Sequence, residues 1–190
     1  MHSGSNKSNM PKNKKIIESL ETVFRTSNSP EELFDSFRLS IENKIKDEEL
    51  YKILLRNMAL SIDEIMMYTE KICKVFPDLS YNIFFCVGQL LESISSYGKH
   101  NEKAFVYFMK AADSNPSLNE PYLAIAKMYN GELNIPKFEI VAEAVEEGIS
   151  KVEIKSPLCF TLSNLYLNRG DKEKALSFQK LGEIYQREGK

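Results

Sequence analysis

Apolar side chains recur every three or four residues along most of this chain, from Ile16 to Tyr185. That spacing places them on one face of an α-helix, and the strict alternation of a half-buried strand is not seen. Ile16, Ile17, Leu20, Val23 and Phe24 predict a first helix over residues 14–25, broken by Thr26-Ser27-Asn28-Ser29. Ser29-Pro30-Glu31-Glu32 then reads as a helix start: a hydroxyl cap, a proline in the first turn and two acids at the positive end of the helix dipole. Leu33, Phe34, Phe37 and Ile41 form its expected buried face, to about residue 44. Asp47-Glu48-Glu49 opens a third helix with Leu50, Ile53, Leu54 and Met58 facing in. A fourth starts at Ser61 or Asp63, carries Ile65, Met66, Tyr68, Thr69, Ile72, Cys73 and Phe76, and is stopped by Pro77. The third and fourth read as a helical hairpin.

Beyond residue 83 the pattern repeats itself. Asn119-Glu120-Pro121 opens a helix in which Tyr122, Ile125, Ala126 and Tyr129 share one face. Thirty-seven residues later Ser156-Pro157 opens another, with Cys159, Leu162, Ser163 and Tyr166 at the same spacing. In both a small residue would let a second helix approach closely, and the tyrosine closes the end of that contact. Second helices follow, carrying Ala104, Phe105, Phe108, Met109, Ala111 and Ala112, then Phe138, Val141, Ala142, Val145 and Gly148, then Ala175, Leu176, Phe178, Gly182 and Tyr185. Gly88, Gly148 and Gly182 read as points of close helix packing, and Gln179 as a polar departure from an aromatic position.

The first-helix pattern resembles the W-x2-L-G-x2-Y spacing of the tetratricopeptide repeat. Ala104, Phe108, Ala111 and Pro116 resemble the A-x3-F-x2-A-x4-P of its second helix, and Gly170 followed by Ala175 belongs to the same pattern. The resemblance runs from about residue 83 to the end. It implies an all-α fold, a right-handed α-α superhelix of stacked antiparallel hairpins, with repeats at 84–118, 119–155 and 156–190. Residues 14–82 would be N-terminal helices including a degenerate capping hairpin, and 1–13 a disordered basic tail. The turn Tyr97-Gly98-Lys99-His100-Asn101 is one residue longer than usual, and the turn at residues 130–136 longer still.

The same resemblance implies a concave wall made by the first helix of each hairpin. The candidate partner-binding residues on it are Phe85, Gln89 and Glu92, then Leu123 and Lys127, then Phe160 and Asn164; Gly88, Glu120, Ala124, Thr161 and Asn168 accompany them. An apolar stripe beside a polar row suits an extended or helical peptide. The Lys/Asn/Arg clamp that some members use to hold a C-terminal carboxylate is missing: Gly88, Glu92, Ala124, Pro157 and Thr161 stand at the matching places. A co-chaperone of that type is disfavoured.

Charge sharpens the picture. The net charge is −2, but Lys7, Lys12, Lys14 and Lys15 precede the first acid, Glu18, so the remainder sets 21 bases against 27 acids, a net −6. Such a body gives no reason to expect a nucleic-acid partner. The longest uncharged run, residues 79–91, is 13 residues, too short for a bilayer span. With no apolar leader visible, a cytoplasmic location is expected. Cys73, Cys86 and Cys159 are scattered in apolar contexts and read as buried free thiols. His2 and His100 lack partners at ligand spacing, and Asp63/Glu64 and Glu143/Glu146/Glu147 read as solvated faces. No phosphate loop, nucleophile elbow or H-E-x-x-H occurs. No metal, cofactor or catalytic role is expected. A scaffold for a partner protein is the favoured reading. The alternative is a self-associating module, joined through a last helix whose Leu181, Ile184 and Tyr185 have no cap.

Overall fold

The computed structural model describes residues 12–94 and 100–189. Among them are ten α-helices, and the chain divides into two compact units after Pro77. No helix among the described residues is long and apolar enough to cross a membrane.

The first unit holds α1 (Lys12–Thr26), α2 (Pro30–Glu42), α3 (Glu48–Leu55) and α4 (Ile62–Val75). Their starts follow from local chemistry. Ser29 Oγ accepts the Glu32 amide at 3.2 Å, and Asp47 Oδ1 accepts that of Leu50 at 3.0 Å. At Ser61 a reciprocal box forms: its hydroxyl accepts from Glu64 N at 3.3 Å while Glu64 Oε2 accepts from Ser61 N at 2.8 Å. The helix α1 packs against α2 and α3. The core between them includes Leu20, Phe24, Leu33, Phe37, Leu50, Tyr51, Leu54, Tyr68 and Ile72. Phe37 lies 4.4 Å from the Tyr68 ring, and Tyr51 5.8 Å from that of Phe76. Each such buried ring contributes about 1.5–3 kcal/mol. Asn57 Nδ2 donates to Phe24 O at 2.9 Å and Ser27 O at 3.0 Å, tying the α3–α4 corner to the end of α1.

Four expectations for this unit need correction. The first helix begins at Lys12, so two residues of the expected 1–13 tail are helical; residues 1–11 lie outside the described residues. Phe34 is 46% exposed, because Leu33, Phe37 and Ser40 form the stripe of α2 that turns inward. Met58 is fully exposed: α3 stops at Leu55, and its inner face uses Tyr51 and Leu55 beside Leu50 and Leu54. The short α3 also packs chiefly against α1 rather than forming an isolated hairpin with α4.

After one turn of 3-10 helix (Pro77–Leu79), the second unit contains α5 (Ser80–Ser93), α6 (Asn101–Ser114), α7 (Glu120–Lys127), α8 (Phe138–Lys151), α9 (Ser156–Asn168) and α10 (Lys172–Arg187). They pair as α5/α6, α7/α8 and α9/α10, and α6 packs on α7, α8 on α9 and α7 on α9. Tyr122, Ala126, Val145, Leu158, Cys159, Leu162, Tyr166 and Ala175 belong to one core that crosses from the second pair to the third. The three predicted close-packing glycines each meet a ring of the partner helix. A Cβ on Gly88 would stand 2.6 Å from Phe108 Cδ1, on Gly148 2.8 Å from Tyr122 Cγ, and on Gly182 2.8 Å from Phe160 Cε1. Ser163, a predicted small site, is buried and donates its hydroxyl to Ala175 O at 2.8 Å.

The corners divide between those the sequence predicts and those it does not. Gly170 takes φ 83° and closes α9, with Asp171 N donating to Tyr166 O at 3.0 Å, while Asp171 caps α10 through Lys174 N. The longer 130–136 corner is a closed loop. Asn130 and Ile135 exchange backbone hydrogen bonds, Asn130 Oδ1 accepts from the Glu132 and Leu133 amides, and Asn134 Oδ1 accepts from Phe138 N at 3.1 Å to start α8. Ser156 is not a cap; it lies inside α9. Asn119 likewise makes no side-chain cap on α7, and its Nδ2 donates to Ile154 O instead. Leu176, expected inside, is 51% exposed. Residues 97–99 of the predicted 97–101 turn lie outside the described residues.

Candidate functional site

The first helices of the pairs, α5, α7 and α9, carry the residues expected to line a partner groove. Leu123 on α7 is half-buried against the shared core, and Lys127, one turn on, is exposed. On α9, Asn164 is exposed. The helices that carry Leu123, Lys127 and Asn164, α7 and α9, pack on each other. Phe160 is only half available: its ring lies against Gly182 of α10. On α5, Gln89 is exposed and Glu92 half-buried, whereas the Phe85 ring is stacked on Tyr81 at 6.0 Å and lies 5.6 Å from Phe108. Gly88 does not belong to the wall at all, being buried beneath Phe108. Near the start of α5, burial first and then the nearby Glu120 carboxylate push the Tyr81 phenol up to about 12.

A cleft of about 800 Å3 opens elsewhere, between α8 and the α9–α10 corner. Glu139, Glu143, Glu146 and Glu147 come from one side of α8, and Tyr166, Arg169, Asp171 and Lys174 from the corner. The aromatic wall is part of a ladder: Phe138 meets Tyr129 at 5.6 Å and Tyr166 at 5.1 Å, and Tyr166 stacks on Phe178 at 5.6 Å. Arg169 sits 4.4 Å over the Phe138 ring and bonds Glu139 at 3.2 Å, while the Lys174 ammonium lies 4.8 Å over Tyr166. The ring faces that would attract a ligand cation are thus already covered by the chain's own cations. Chemically the cleft offers carboxylates and two cations to a polar ligand. None of its lining residues is Cys, Ser, Thr or His.

Tyr166 donates to Glu146 Oε1 at 2.8 Å. Burial first, then that bond and the Glu146 charge, push its phenol up to about 12. The neutral phenol is therefore favoured by the fold, and the stability it contributes is complete below pH 10 and is lost as pH rises toward about 12. Ultraviolet titration of Tyr166→Phe should lose part of the last-ionising tyrosine absorbance. A loss confined to the tyrosines that ionise near pH 10 contradicts the raised Tyr166 phenol.

Cys73, Cys86 and Cys159 are buried and outside any disulfide, as expected, and burial raises the Cys159 thiol, which disfavours the reactive thiolate. No group of three or more His, Cys, Asp or Glu among the described residues could hold a metal ion. The α8 cleft was not legible in the sequence. Its acids were visible at helical spacing, but nothing local showed that Tyr166 and Arg169 would close over them. No protein-family model, no curated protein and no solved structure matches this chain.

Proposed function

We propose that this protein is a non-catalytic interaction scaffold. In this reading the second unit is a right-handed superhelix of tetratricopeptide-like hairpins. A peptide or helix of a partner protein lies along the α7–α9 wall. The observation that carries the reading is the direct packing of α7 on α9, with Lys127 and Asn164 exposed and Leu123 only partly buried. Such a surface combines an apolar contact with polar groups that set register. The rings of Phe85 and Phe160 serve the hairpin seams first and offer the partner only their outer edges.

The test is affinity capture from the source cells, comparing the native chain with Lys127→Glu/Asn164→Lys. Both positions are exposed, so helicity and melting should not change. Recovery of the principal partner should fall at least about tenfold, equivalent to about 1.4 kcal/mol. Equal recovery removes the wall from consideration.

Self-association is a second reading, favoured by α10, where Leu176 is 51% and Ile184 49% exposed. A mass in sedimentation equilibrium that rises with concentration, and stops rising in Leu176→Lys/Ile184→Lys, would select it.

A further inference from the structure

Within the first unit, α2 and α4 leave an open groove of about 420 Å3, lined by Pro30, Glu31, Phe34 and Asp35 from one helix and Glu64, Met67 and Tyr68 from the other. Its floor is fixed, because the Tyr68 ring is buried and packed on Phe37. Its apolar walls are open: Phe34 is 46% and Met67 50% exposed. Both are large apolar side chains left in water on facing helices, one of the usual marks of a contact surface. Three carboxylates line the groove and no Lys or Arg does. Arg38, one turn beyond Phe34, pairs with Asp35 at 3.4 Å and Glu42 at 3.9 Å, with all three side chains more than half exposed. Exposed pairs of this kind are weak and exchange readily with an incoming cation.

We propose that this groove docks an amphipathic, basic helix of another protein, with apolar anchors between Phe34 and Met67 and flanking Lys or Arg side chains on Glu31, Asp35 and Glu64. This goes beyond the α7–α9 wall and does not depend on it. Charge selects the occupant. An anionic membrane surface or a nucleic acid would be repelled by the rim. A second copy would bring a body of net −6. The chain's own basic tail is largely used up, since Lys12, Lys14 and Lys15 are built into α1 and leave Lys7 as the only Lys or Arg in residues 1–11. A helix with anchors one turn apart and cations beside them satisfies both features of the groove at once.

The test uses the full-length protein and a short fluorescent helical peptide with Leu at i, i+4 and i+7 and Lys on the flanks. A second peptide replaces every Lys with Glu. Fluorescence anisotropy should show saturable binding of the Lys peptide only. Phe34→Ser/Met67→Ser and Glu31→Gln/Asp35→Asn should each weaken it at least about tenfold, with the native helicity retained. Glu143→Gln/Glu146→Gln on α8 should have no effect. The proposal is overturned by equal binding of both peptides, unaltered binding by the groove variants, loss through the α8 variant, or tightening by Lys7→Glu, which would assign the groove to the chain's own tail. Concentration-dependent self-association abolished by Phe34→Ser/Met67→Ser would assign the groove to a second copy and equally overturn it.

Discussion

Phe108→Ala is expected to lower the unfolding free energy of the second unit by about 3–5 kcal/mol. The ring is fully buried and lies where a Gly88 Cβ would stand 2.6 Å from Cδ1 and 2.7 Å from Cε1. Its removal therefore opens a hole between α5 and α6 that the two helices cannot close without moving the whole pair. The pairing also makes a sign prediction. In the native background Gly88→Ala overpacks the seam and costs about 1–3 kcal/mol. In the Phe108→Ala background the clash is gone and the gain in helix propensity, about 1 kcal/mol, remains. Gly88→Ala should thus destabilise one protein and stabilise the other. Urea denaturation followed by circular dichroism measures both arms. The same sign in both backgrounds would mean that the α5–α6 seam is not where the structure places it.

Gly148→Val carries the second largest expected effect, at the upper end of the same range of about 1–3 kcal/mol. The Gly148 Cβ position is 2.8 Å from Tyr122 Cγ and 2.9 Å from both Cδ atoms. These atoms are at the root of the ring, and Tyr122 is fully buried, so no rotation about its side chain relieves the contact. Gly182→Val provides the contrast. There the nearest atom is Phe160 Cε1 at 2.8 Å, on the rim of a ring that is only partly buried. Gly182→Val should cost clearly less than Gly148→Val under the same denaturation conditions. Equal losses would show that Phe160 is held more firmly than its exposure implies.

Much of the fold was legible because helix starts and close contacts have local causes. Ser29-Pro30, Asp47 and Ser61 open helices by hydrogen bonds within four residues, and Gly88, Gly148 and Gly182 mark the seams. The misplacements share a different cause. Periodicity shows which side of a helix is apolar but not how wide the covered part is, so Phe34 and Leu176 fell on the margins. Met58 was lost because α3 ends after eight residues, held by the Asn57 bonds to Phe24 O and Ser27 O. Those contacts span about thirty residues of chain and leave no trace in a short window. The candidate site was legible only in part. Lys127 and Asn164 are exposed, whereas the rings of Phe85 and Phe160 are engaged in contacts set by facing helices.

The corner at residues 130–136 has a consequence for how this architecture can change. Its backbone pair at Asn130 and Ile135, the Asn130 side-chain bonds and the Asn134 bond to Phe138 N interlock. Removing one or two residues would break the closure and the start of α8 together. Trimming therefore has no gradual path here: the excursion can be deleted as a block or kept whole.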